Sequence, residues 1–98
     1  MIEATYTALA AVRHEAPERA LRRLCRHFAH KIRVVMKERA ATLHFAEGEC
    51  ALRIERQRLE LRITALDPVA QHELMATLDR HLPTVGGVGG VWVWCVAP

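Results

Sequence analysis

The chain has 98 residues, 51% of them apolar and 26% charged, a balance that fits a single globular domain and argues against disorder over most of its length. Lys and Arg outnumber Asp and Glu by 14 to 11, an excess that permits an anionic partner without pointing to nucleic acid. The three dispersed cysteines, Cys25, Cys50 and Cys95, argue against a disulfide framework or a zinc ribbon, and no apolar run approaches the ~20 residues of a membrane span.

Ile2, Ala4, Tyr6, Ala8 and Ala10 share one parity, which predicts a first strand from Ile2 to Val12. Pro17, with Glu15 and Glu18 around it, marks a helix entry: proline suits the first turn, and acids suit the positive end of the dipole. The helix is predicted to run from about Pro17 to Lys31. Leu21, Leu24, Cys25, Phe28 and Ile32 recur at i, i+3, i+4, i+7 and i+11 and form its buried stripe. Arg19, Arg22, Arg23, Arg26 and His30 fall on the opposite side, with His27 and Lys31 at the edge.

Val35 and the Leu43/Phe45 pair predict short strands, or one bent strand, ending in a turn at Gly48. Then Cys50, Leu52 and Ile54 alternate with charged residues, as do Leu59, Leu61 and Ile63. Period-two alternation on both sides of Arg56-Gln57 predicts an antiparallel hairpin. Asp67-Pro68 is a helix start, with Asp as cap and Pro in the first turn. Ala70, Leu74, Leu78, His81 and Leu82 line one face of that helix, and Pro83 is expected to end it. A glycine-rich loop follows, and "VWVWCVA" reads as a final strand. The order is β-α-β-β-β-α-β over one domain, residues 1–98. It predicts a two-layer α+β sandwich, a mainly antiparallel sheet with two helices on one face.

Several stretches together carry a resemblance: "LCRHFAHKI" (Leu24 to Ile32), "GECAL" (Gly48 to Leu52), the "LELR" strand from Leu59, the cap at Asp67, "DRHL" (Asp79 to Leu82) and the late tryptophans. On these, from about Pro17 to Trp94, the chain resembles a small bacterial family of unknown function. Its members stand alone or are appended to siderophore-interacting, flavin-dependent ferric-reductase proteins. The family usually has a more charged and aromatic segment before its final strand, whereas Val85 to Val91 here is rich in glycine and valine. The resemblance implies a context in iron-siderophore handling and no agreed activity or cofactor.

The basic flank of the first helix is the leading candidate site. Guanidinium groups suit bidentate capture of carboxylate or phosphate, so Arg22, Arg23, Arg26, His27 and His30 are the expected ligand-binding residues. The partner would be a small anionic ligand or an acidic protein surface. A second reading is a metal site on His27 and His30, which lie about 60° apart around a helix. Cys25 lies about 140–160° from both and cannot join them; a further ligand would come from His14 or His44. A third reading is a homodimer through the final strand, because Trp92, Trp94 and Val96 share one parity and Val91, Val93 and Cys95 the other. An apolar strand of that kind needs cover on both faces.

Nucleophilic triads find no support, since the chain has no serine. The glycines at 86, 87, 89 and 90 lack the Lys-Ser/Thr that would follow in a phosphate loop, and they read as a mobile connection. His81, on the apolar stripe, reads as a core histidine with a local hydrogen-bond partner. No catalytic residue, membrane partner or nucleic-acid partner is expected. The start lacks a basic patch followed by an apolar stretch, so the expected location is the cytoplasm.

Overall fold

A computed structural model describes residues 5–96; the predicted strand positions Ile2 and Ala4 lie outside them. The order is β1 (Tyr6–Arg13), α1 (Pro17–Phe28), β2 (Arg33–Met36), β3 (Ala40–Phe45), β4 (Gly48–Glu55), β5 (Arg58–Ala65), α2 (Pro68–Thr84) and β6 (Cys95–Val96). The strands form one antiparallel sheet in the order β2-β3-β4-β5-β1-β6. The fold is the expected α+β sandwich. Of the two alternatives at residues 33–45, two short strands form rather than one bent strand, so the order gains one strand: β-α-β-β-β-β-α-β.

Alternation along β1, β4 and β5 sends one set of side chains under the helices. Ala8, Ala10 and Val12 lie there, with Cys50, Leu52 and Ile54 and then Leu59, Leu61 and Ile63, all buried. From α1 come Leu21, Leu24, Cys25 and Phe28, the stripe its spacing predicts. From α2 come Leu74, Leu78 and Leu82. Each fully buried leucine contributes roughly 1.5–3 kcal/mol relative to exposure, which is why a two-layer domain this small holds together. α1 packs over β2 to β5, and α2 over β1, β4 and β5.

The two-residue turn between β4 and β5 has no Asn-Gly or Asp-Gly. Arg56 takes the left-handed conformation itself, at φ 59°. Tertiary bonds hold the turn: the His14 amide donates to the Gln57 carbonyl at 3.0 Å, and the Gln57 side chain donates to the Glu15 carbonyl at 3.0 Å. Gln71, buried in α2, donates to the Thr7 carbonyl at 3.0 Å and so satisfies an edge of β1.

Three predicted boundaries shift. α1 stops at Phe28, because the amides of Lys31 and Ile32 both bond back to the Phe28 carbonyl and turn the chain into β2. Pro83 sits inside the last turn of α2, which reaches Thr84. The final strand shrinks to Cys95–Val96 among the described residues, and its predicted last position, Ala97, lies outside them. No helix among the described residues is long and apolar enough to cross a membrane.

Candidate functional site

α1 starts without a side-chain cap at Ala16. Instead the Ala16 amide donates to His14 Nδ1 at 2.9 Å. Glu18 occupies the first turn and Arg26 and His27 the last, the charge order that the helix dipole favours. With Leu21, Leu24, Cys25 and Phe28 turned into the core, Arg19, Arg22, Arg23 and Arg26 project outward and are exposed. None of the four makes an ion pair among the described residues, whereas Arg39 reaches Glu18 and Arg53 reaches Glu60. The predicted basic flank is therefore wetted and uncompensated over most of its length.

His27 and His30 part company. His30 lies in the turn after Phe28 and is exposed. The His27 ring instead meets α2: its centroid is 5.0 Å from that of His81 and 5.3 Å from that of Phe28, edge-on to the latter. Phe28 in turn lies 4.8 Å from His81 and 5.3 Å from Phe45. The result is a four-ring cluster closing the seam between the helices. His81 Nδ1 lies 2.7 Å from the Thr77 carbonyl, so this nitrogen carries the proton and donates. That is the local partner expected for a helix histidine.

The other groups considered for a metal are committed elsewhere. Cys25 is buried in the core, and burial pushes its thiol up. His14 accepts from Ala16, and His44 faces Glu49 at 3.6 Å. Among the described residues no three or more His, Cys, Asp or Glu side chains gather as a metal site would require.

The tryptophans occupy one side of the closing segment, as their parity predicts. Trp92 and Trp94 pack against the core and both donate Nε1–H to the same carboxylate oxygen of Asp79 on α2, each at 2.8 Å. Their face is thus covered by the chain's own helix, while Val91 and Val93 stay exposed. Neither the His27–His81 meeting nor the Asp79 clamp was legible in the sequence, because each joins segments whose relative placement only the fold fixes.

Residues 9–92 match the profile of a family described as an uncharacterized protein conserved in bacteria, DUF2218. The chain belongs to this family. No curated protein sequence gives a significant match. Among solved structures, the NMR structure of PA4090 from Pseudomonas aeruginosa is similar, with a TM-score of 0.76 at 20% identity, over 92% of this chain and 95% of that one. The likeness shows a shared fold. A family of bacterial domains with this two-layer architecture therefore frames the site, and the chemistry has to be argued from the residues.

Proposed function

We propose that this DUF2218 domain is a non-catalytic accessory domain that captures an anionic ligand on the basic face of α1. Arg22, Arg23 and Arg26 form its centre, and His27 and His30 its C-terminal margin. One observation carries the reading: the guanidinium groups of Arg19, Arg22, Arg23 and Arg26 share one exposed flank and none is ion-paired among the described residues, the Glu18 carboxylate of the first turn being held by Arg39. Like charges crowded on one flank repel, and a bound anion relieves that repulsion. Guanidinium forks match carboxylates two bonds at a time. The iron-siderophore context that the sequence resemblance implies favours a polycarboxylate of the iron-chelating kind as ligand.

The test is a titration of citrate and ferric citrate into the protein, followed by amide shifts. Shifts confined to α1 and the turn after it are expected, weakening as salt rises. Arg22→Glu/Arg26→Glu should lower affinity by about tenfold or more, about 1.4 kcal/mol, with the remaining spectrum unchanged. Equal binding by this variant, or no shift in α1, refutes the reading.

A further inference from the structure

The face of the sheet away from the helices carries a separate arrangement. Register places Val35, Thr42, Ala51, Arg62, Leu9 and Cys95 in one row, one residue from each strand in the order β2, β3, β4, β5, β1, β6. Arg62 is the single charge in that row. Beside it lies a basin of about 700 Å³ whose apolar lining includes Leu9, Ala11, Val93 and Cys95 and whose charged lining is Arg62 with the Arg53–Glu60 pair. That volume falls within the ~300–1,000 Å³ of small-molecule sites.

The neighbouring charges are spoken for. Arg53 holds Glu60 at 2.8 Å, and Arg58 reaches the same carboxylate at 3.7 Å. Arg62 makes no ion pair among the described residues, although it stands two residues from Glu60 on the same strand. The basin thus combines an apolar wall with one uncompensated cation. Leu9 and Val93 remain well exposed at 46% and 75%, so the apolar wall has no cover from the described chain.

We propose that this basin binds a small amphipathic anion of the medium-chain carboxylate class, its head group on Arg62 and its apolar body along Leu9, Ala11 and Val93 toward Cys95. The chemistry needs both halves: the guanidinium gives a bidentate seat for a carboxylate, and the alanines leave room for a chain. A second copy fits less well. Stacking two such rows about a twofold axis sets Arg62 against Arg62 near the middle, where two like charges repel. The site lies on the opposite side of the sheet from α1 and shares no residue with the basic flank.

Cys95 supplies the readout. It is the exposed cysteine, while Cys25 and Cys50 are buried, so iodoacetamide labelling followed by intact mass reports on the basin. Decanoate, kept below its micelle concentration, should slow labelling roughly tenfold at about ten times its Kd, since protection follows 1 + [L]/Kd. Decanol, with the same body and no charge, should protect far less. Arg62→Gln should lose the protection while its unliganded labelling rate and amide spectrum stay those of the parent. Arg22→Glu/Arg26→Glu should keep it, which separates this site from the α1 face. No protection by decanoate, or equal protection in Arg62→Gln, overturns the proposal. So does slow labelling of the free protein that quickens on dilution, because a second copy would then be the occupant.

Discussion

Asp79→Ala tests how the chain closes. Among the described residues β6 pairs with β1 through only Ala8↔Val96 and Leu9↔Cys95, too short a ladder to hold residues 91–96 alone. The rest of the grip comes from Trp92 and Trp94, which rest on the core and share one oxygen of Asp79 at 2.8 Å each. A hydrogen bond to a charged group is worth about 1.5–3 kcal/mol when shielded. This one is open to solvent, so about 1 kcal/mol each, or about 2 kcal/mol together, is the appropriate scale. The loss falls on the strap, residues 91–96, because the core beneath it is filled by other side chains. The chain's two tryptophans are both in that strap, so fluorescence reads it alone. Asp79→Ala should red-shift emission and speed hydrogen exchange at both indole N–H groups, with the unfolding free energy of the core from urea titration falling by no more than those ~2 kcal/mol. Asp79→Asn, which keeps one acceptor, should fall in between. Unchanged emission and indole exchange in Asp79→Ala would refute the argument that this carboxylate holds the strap.

Two more predictions follow from the core and its turns. Gly48 sits at φ 153°, and a Cβ there would lie 2.3 Å from the Thr64 carbonyl oxygen on the paired strand. Backbone cannot yield as a side chain can, so Gly48→Ala should destabilise by about 2–4 kcal/mol in urea unfolding; a loss below about 0.5 kcal/mol contradicts the close approach. Burial pushes the Cys50 thiol from 9.0 up to about 12. The unfolded chain therefore releases this proton first. The stabilisation is whole below pH 9 and falls by about 1.4 kcal/mol per unit as pH rises from 9 to 12. Cys50→Val should flatten this part of the pH dependence, and parallel urea-stability curves for parent and variant above pH 9 would refute it.

How much of this was readable beforehand differs from one element to the next. The α1 stripe and the β4–β5 hairpin were legible because a single face of each meets the core, so period and burial coincide. Residues 33–36 were legible only as one of two alternatives, a separate short strand or part of one bent strand, because Val34, Val35 and Met36 stand in sequence without alternation and β2 is an edge strand whose side chains are largely exposed. The closing segment misled in a more instructive way. "VWVWCVA" alternates as a strand would, yet among the described residues ladder pairing is confined to Cys95 and Val96, while the two indoles before them turn to Asp79 on α2. Side-chain hydrogen bonds there took over a role that periodicity assigns to the backbone. For α1, the outward arginines followed from helix geometry alone. The placement of His27 did not, since its neighbour His81 stands 54 residues further on and meets it only where the helices converge.

The open face of the sheet was hidden for a topological reason. β1 lies next to β5 rather than beside β2, so the row running from Ala51 through Arg62 and Leu9 to Cys95 joins the β4–β5 hairpin to the first and last strands, β1 and β6. Along the β4–β5 hairpin the charges alternate and pair, with Arg53 on Glu60, which keeps that half wetted without a partner. Leu9 and Ala11 on β1 and Cys95 on β6 break the pattern and leave the other half apolar. A single layer of helices covers only one side of six strands. The uneven polarity of the uncovered side, with a guanidinium unpaired among the described residues where the two halves meet, is therefore the feature most in need of a ligand to explain it.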